Sequence, residues 1–268
     1  MKVAAGQAVA VAGDLAANVA TATRLTRDAA ALGVRVLVLP EAFLTGYDQA
    51  VFAGPLPDAD DLGTWLDPLR SASSGGDVVV VVGAALLRDG ERRLSQVVVR
   101  PDGSASAPYD KQFLDGLEKQ YFTTGAHGTS ITVDGHELGL SICYDGCFPE
   151  HAQAAALDGA VGYLSSSAYF TGGAHRRDLY YPARAVENGM YVVFSGLTGR
   201  CGEHTFIGGS AVYDPEGRPL ARLGEREGLA VADLDIALVE ATRARHTMVD
   251  DHRVSLGVRV RDEARSTA

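Results

Sequence analysis

The sequence has 268 residues, long enough to bury a substantial core, and its 46% hydrophobic and 22% charged residues are the balance of a globular protein rather than a disordered or fibrous one. With 34 acidic against 24 basic side chains the formal net charge is −10, which leaves no basic face for nucleic acid or anionic lipid. Three cysteines are too few, and odd in number, for a disulfide framework, and no window approaches a membrane span; a soluble, cytoplasmic protein is expected.

In chain order, Lys2 to Val11 alternates loosely as a strand. The opening MKVAAGQAVAVAG superficially resembles a secretion signal, but Gly6 and Gln7 interrupt a run built of weakly hydrophobic alanine and valine. Asp14 caps a helix with Leu15, Val19, Ala22, Thr26 and Ala29 on one face and Gly33 at its end. Val34 to Leu39 is a nearly continuous apolar run, the pattern of a strand buried on both faces, and it stops at Pro40-Glu41. Asp60 to Ser71 reads as a helix with Trp65, Leu66 and Leu69 inward. Val78 to Leu87 and Leu94 to Arg100 flank Asp89-Gly90, a hairpin signal.

Pro101 to Phe122 reads as a polar loop, unusually rich in charge and aromatics where it runs YDKQFLDGLEKQYF. Ile131 to Val133 and Leu138 to Cys143 pair through Asp134-Gly135, a helix follows to Leu157, and Val161 to Ser165 is a strand. His175 to Asn188 is helical, with Pro182 as a kink and Gly189 as its C-cap. Tyr191 to Phe194 is a strand. Ile207 to Tyr213 and Leu229 to Asp233 are expected to pair around Asp214-Pro215-Glu216-Gly217, and from about residue 235 a polar helix and tail complete the chain. No linker or repeat divides residues 1–268, so one domain is expected; strands alternating with helices, plus hairpins, predict an α/β fold with mixed sheets.

The stretch LGLSICYDGCFPEH, from Leu138 to His151, concentrates the chemistry. It reads as strand, sharp turn and helix with the thiol of Cys143 at the corner, where a side chain at a strand's carboxyl end projects into the ligand crevice of an open α/β sheet. The nearby helix N-terminus favours thiolate over thiol. A buried structural cysteine is the plain alternative. Cys143, Cys147 and His151 recur every fourth residue, but Gly146 and Pro149 interrupt any helix joining them and no second ligand pair stands nearby, so no metal is expected. A serine hydrolase is the third reading, because G-x-S-x-C nearly matches the G-x-S-x-G elbow; Ser141, however, lies two residues inside the strand.

A cysteine nucleophile needs a base and a donor for the oxyanion. None of the seven histidines sits at a strand end, and His151 and His175 lie near helix starts. Glu41 closes a buried apolar strand, where burial raises a carboxylate toward the range useful for proton transfer. Lys111 sits between Asp110 and a loop too apolar for a solvated lysine.

Taken together, VAAGQ with Asn18 downstream, LVLPEAFLTGY, YDKQFLDGLEKQYFTTG, SICYDGCFPE, SSSAYFTGGAHRRDLYYPARAVENGMYVV and GGSAVYDPEGRPL resemble, in this order and over nearly the whole chain, the nitrilase superfamily of carbon–nitrogen hydrolases in its amidase and carbamoylase branches. The resemblance implies a four-layer αββα sandwich with two mixed β-sheets and a catalytic Glu-Lys-Cys triad falling on Glu41, Lys111 and Cys143. It places a second glutamate on Glu118 and an oxyanion donor on the backbone N–H of Tyr144, and it implies no cofactor. Tyr47, Tyr169, Phe170 and His175 are the expected substrate-binding residues. The implied activity is hydrolysis of a small primary amide or N-carbamoyl compound, in a homodimer or higher homo-oligomer assembled around Tyr180 and the C-terminal tail.

Departures narrow the substrate. Nitrilases proper carry Cys-Trp-Glu at the nucleophile, against Cys-Tyr-Asp here, which disfavours nitriles. Gly146 and Cys147 occupy places where carbamoyl-amino-acid hydrolases of the superfamily carry arginines, and Gly196 replaces a polar residue. Arg176 and Arg177 are the residues that could compensate, although adjacent arginines at a helix start are expected to be solvated. A Ser141 esterase and a catalytically idle binding relative are the alternatives from other classes.

Overall fold

The computed structural model describes residues 1–261. Its two six-stranded sheets run in the orders β14 (Gly228–Asp233)-β1-β2-β3-β4-β5 and β13-β12-β9-β8-β7-β6, with the other ranges as follows. In the first, β1 (Lys2–Gln7), β2 (Val36–Val38) and β3 (Val79–Arg88) are parallel, while β4 (Glu91–Val99) and β5 (Ala105–Asp110) follow as antiparallel hairpin strands. In the second, β7 (His136–Ile142), β8 (Gly162–Ser167) and β9 (Tyr191–Gly196) are parallel, flanked by antiparallel β6 (Ser130–Val133), β12 (Ala211–Tyr213) and β13 (Pro219–Arg222). A separate two-stranded ribbon joins β10 (Thr198–Cys201) to β11 (His204–Ile207).

The side-chain period of two explains why the strands are apolar on both faces. Val36 and Val38 point between the sheets, against Leu140, Leu164 and Val193, whereas Leu37 and Leu39 point outward onto α1 (Leu15–Ala31), with Val19, Ala22 and Leu25, and onto α3 (Asp67–Gly76), with Leu69; the short α2 (Gln49–Ala53) lies between these helices in the chain. The second sheet is covered in the same way by α4 (Pro149–Leu157), through Ala152 and Ala156, and α5 (Ala174–Asn188), through Tyr181 and Ala185. The result is helix, sheet, sheet, helix, as expected. Polar pins cross the dry interface: Gln96 Nε2 donates to Ser166 Oγ at 3.0 Å, and Ser195 Oγ donates to Gly6 O at 2.5 Å.

Several local expectations are corrected. The helix expected over Asp60 to Ser71 is a 3-10 turn, Thr64–Leu66, followed by α3 from Asp67, because Pro68 suits a first turn and not a helix interior. Pro101 to Phe122 is not all loop; it contains β5, whose alternation is masked by Pro108 and small residues. Leu229 to Asp233 belongs to β14 (Gly228–Asp233), which pairs with β1 in the other sheet, so the turn at Asp214 to Gly217 joins β12 to β13 instead. Pro182 lies within α5 and Gly189 closes it at φ 53. After Asp235, α6 (Ile236–Arg245) is anchored by buried Val239 and by Arg243, which donates to Ala160 O at 2.7 Å. The expected tail includes residues 262–268, outside the described residues. Among the described residues no helix is long and apolar enough to cross a membrane.

Candidate active site

The carboxyl ends of the parallel strands in both sheets meet at one point, where Glu41 N donates to Ser167 O at 3.4 Å. Glu41 arrives after β2, through Leu39-Pro40. Its segment lies directly on Gly83 of β3, where a Cβ would stand 2.5 Å from Ala42 N and 2.6 Å from Glu41 Cα; any side chain there would push the glutamate away. Lys111 follows β5 immediately, its N–H bonded to Leu94 O and its carbonyl to Gly125 N, each at 2.8 Å. Glu118 opens a 3-10 turn, Glu118–Gln120.

These three side chains are fully buried and form one cluster. Lys111 Nζ donates to Glu41 Oε1 at 2.6 Å and to Glu118 Oε1 and Oε2 at 2.6 and 2.7 Å. Glu118 also accepts from Tyr47 OH at 2.9 Å and from Asp115 N at 3.0 Å. Glu41 Oε2, by contrast, is buried without a hydrogen-bond partner. The two carboxylates are driven apart accordingly. Burial pushes Glu41 well above the usual carboxylate range, and Lys111 only partly offsets it. Burial also opposes the charge of Glu118, but Lys111 and the hydrogen bonds to it prevail and hold it down. Burial likewise disfavours the Lys111 ammonium, yet Glu118 and Glu41 more than compensate and keep it protonated. Glu118 and Lys111 are the standing ion pair; Glu41 is the group free to exchange a proton.

Cys143 terminates β7 and opens a 3-10 turn, Cys143–Cys147, with φ at 42, a left-handed value that costs a non-glycine residue about 1–2 kcal/mol. Tyr181 OH donates to Cys143 O at 3.0 Å from one side, and Ile142 N donates to Asp145 Oδ2 at 2.9 Å from the other. The expectation that a helix N-terminus lowers the thiol is overturned. Burial pushes the Cys143 thiol well up, Glu41 adds to the effect and Lys111 opposes it, while the expected helix, α4, begins only at Pro149, beyond the turn that carries the thiol. The thiol is therefore protonated at rest, and its proton leaves as it attacks. Tyr144 N–H lies in the first turn, where helix amides have no intrahelical partner.

A cavity of about 300 Å³ is lined by Cys143, Tyr144, Cys147, Tyr169, Phe170 and Arg176, among others. Of the expected substrate-binding residues, Tyr169 and Phe170 thus belong to it. Tyr47 does not line it; buried behind Phe170, it holds Glu118. His175 is exposed on α5 and outside the lining, because the helix turns it to solvent. Ser141 is also corrected as a candidate nucleophile: it is buried inside β7 and directed at Leu164 O, 3.4 Å away. His151 is bonded to Tyr109 and Tyr163 rather than grouped with the cysteines, and among the described residues no set of three or more metal-ligating side chains is assembled.

The adjacent arginines separate. Arg177 is buried and donates to Gly208 O at 2.9 Å, contrary to a solvated role, whereas Arg176 is exposed at the cavity wall. Gly146 has no room for a longer side chain, since a Cβ would meet the Tyr181 ring at 2.8 Å. Sequence reasoning does not single out Asp145, Tyr109 or Gly83; for Gly83 the signal available is a glycine interrupting an otherwise apolar strand.

The carbon–nitrogen hydrolase family model matches residues 2–244. An (R)-stereoselective amidase from a Pseudomonas species is 34% identical over 228 residues, covering 82% of this chain and 80% of that protein. A 2-oxoglutaramate amidase from Bacillus subtilis is 31% identical over 226 residues, covering 82% and 86%. Among solved structures, a double mutant of the amidase from Nesterenkonia sp. AN1 in complex with acrylamide superposes with a TM-score of 0.83 at 28% identity, covering 94% of each chain.

Proposed function

The chain belongs to the carbon–nitrogen hydrolase family and is an enzyme of that class, and we propose that Cys143 attacks the carbonyl carbon of a small primary amide or N-carbamoyl compound, served by Glu41, Lys111 and Glu118. The observation that carries this reading is the buried lysine bonded to two buried glutamates, one of which has an unpartnered oxygen.

Glu41 Oε2 takes the thiol proton as the sulfur–carbon bond forms. The oxyanion is held by the Lys111 ammonium and Tyr144 N–H, donors worth on the order of 3 kcal/mol each when preorganised and dry. Protonated Glu41 then passes its proton to the nitrogen, the carbon–nitrogen bond breaks and ammonia leaves a thioester on Cys143. Glu41 next deprotonates a water that attacks the thioester carbon, and the thiol returns as the acid departs. Glu118 keeps Lys111 charged and aimed.

The cavity volume of about 300 Å³ and the likeness to an amidase seen with acrylamide support a small substrate. The reading extends to a cytoplasmic, self-associating catalytic domain; exposed Leu179 and Val186 on α5, and Val254, Leu256, Val258 and Val260 after α6, support association. Ammonia release from a panel of primary amides and N-carbamoyl compounds tests the chemistry, and no release from any of them would contradict it. Light scattering at micromolar concentration tests the assembly, which a monomeric mass would refute.

A further inference from the structure

We infer that Asp145 is a positioning residue of this site, a buried carboxylate that fixes the nucleophile and the lysine relative to each other by accepting hydrogen bonds from both segments that carry them. The inference rests on the roles proposed above for Cys143 and Lys111.

Asp145 is fully buried and its oxygens take three donors. Oδ2 accepts from Tyr109 OH at 2.6 Å and from Ile142 N at 2.9 Å, and Oδ1 accepts from Phe113 N at 2.9 Å. The placement of the donors is what matters. Ile142 immediately precedes Cys143, and Tyr109 and Phe113 bracket Lys111 two residues away on either side. One carboxylate thereby ties the end of β7, in one sheet, to the end of β5, in the other. Cys143 stays at its unfavourable φ of 42 only while both its flanks are held, and Ile142 N is one of them.

A second layer orients the first. The single proton of Tyr109 goes to Asp145, so the 2.8 Å contact between Tyr109 OH and His151 Nε2 requires Nε2 to be the protonated nitrogen. Nδ1 then accepts from Tyr163 OH at 2.7 Å. Burial keeps the imidazole neutral and both phenols protonated, which matches that assignment. The hydrogens of Tyr163, His151 and Tyr109 all run one way and end on Asp145, an arrangement in which each bond strengthens the next. Asparagine at position 145 keeps one acceptor oxygen and turns an amide N–H₂ toward a donor, so at least one tie is replaced by a repulsive contact.

The test compares Asp145→Asn and Tyr109→Phe with the parent full-length protein, reading kcat and KM for ammonia release from a primary amide, the rate of Cys143 alkylation by iodoacetamide, and the thermal midpoint. Misplacing reacting groups by an ångström costs about a hundredfold, so Asp145→Asn is expected to lower kcat by about that factor while KM stays within about threefold, and to change the alkylation rate of Cys143. Tyr109→Phe leaves both main-chain donors in place, and its kcat is expected to fall by about tenfold with KM unchanged. A residue that served stability alone would lower the midpoint and leave kcat per folded molecule intact. An Asp145→Asn protein with parental kcat overturns the inference, and if that variant does not fold, parental kcat in Tyr109→Phe overturns it equally. A Cys143→Ala control separates the two levels: its inactivity beside an active Asp145→Asn removes only the positioning role, whereas its activity removes the thiol chemistry itself.

Discussion

Lys111 Nζ stands 2.6 Å from Glu41 Oε1, and the other oxygen of that carboxylate is buried with no hydrogen-bond partner. Both oxygens of Glu118 close the opposite flank of the ammonium, at 2.6 and 2.7 Å. One cation shared so unequally leaves one glutamate as a fixed counterion and the other as a proton carrier.

That division predicts a shift in the pH profile of Glu118→Gln. The Glu118 charge raises Glu41, and Glu118 also competes for Lys111, which lowers it. Removing the Glu118 charge therefore brings the Glu41 carboxyl down, and the acid limb of kcat/KM, which reports ionisation of the base, is expected to move to lower pH while kcat falls. Glu41 remains to balance Lys111, so the thermal midpoint is expected to change little. An acid limb that moves upward contradicts the assignment.

Glu41→Gln is expected to be nearly inactive, since an amide cannot take the thiol proton. Its stability carries an independent sign. Glu41 is raised in the folded protein, so its contribution is fully present below the unfolded carboxylate value and is lost as pH rises through the folded one. Glutamine has no such loss. The midpoint of Glu41→Gln relative to the parent should therefore climb as pH rises above the unfolded carboxylate value, and thermal melts would show the opposite trend if folding lowered Glu41 instead of raising it.

Gly83→Ala tests how the base is placed. Its Cβ would meet Pro40 O and Ala42 N at 2.5 Å, an overlap of backbone on backbone that costs about 1–3 kcal/mol by shifting one strand end. We expect a lower midpoint and a kcat loss exceeding any change in KM; unchanged kcat would mean that Glu41 does not depend on this close approach.

Much of this was legible in the chain because the chemistry sits at strand ends. The apolar run Val34 to Leu39 announces a doubly buried strand, and Glu41 is the carboxylate that closes it; SICYDGC does the same for Cys143. What escaped depends on partners distant in sequence. Tyr47 is an aromatic near a turn until Glu118, folded against it, shows which group its hydroxyl serves. Leu229 to Asp233 alternates as any edge strand would, and nothing local says that it pairs with β1 rather than β12. The upward push on the Cys143 thiol is not legible in the chain, because burial and the neighbouring Glu41 are properties of the assembled site.

The pocket's charge predicts its preference. Cys147 cannot supply a cation, Arg177 is occupied by main-chain carbonyls, and Arg176 stands exposed at the wall with Asp115 also lining the cavity. An unpartnered carboxylate is disfavoured in such a place. Neutral or amine-bearing primary amides and carbamoyl compounds are expected to outperform N-carbamoyl amino acids in kcat/KM for matched pairs differing only in a free carboxylate. A preference of about tenfold for the acid, a difference of about 1.4 kcal/mol, would contradict this, and its loss in Arg176→Ala would identify the residue responsible.

The central claim is that the bond is broken by the thiol of Cys143. Ammonia release from a good primary amide, measured side by side for the parent and Cys143→Ala at equal folded concentration, tests it most directly. The account predicts that release by the variant falls to the level of the uncatalysed reaction while its circular dichroism and thermal midpoint stay close to those of the parent. Release by Cys143→Ala within about tenfold of the parent, a difference of only about 1.4 kcal/mol in barrier height, would contradict it.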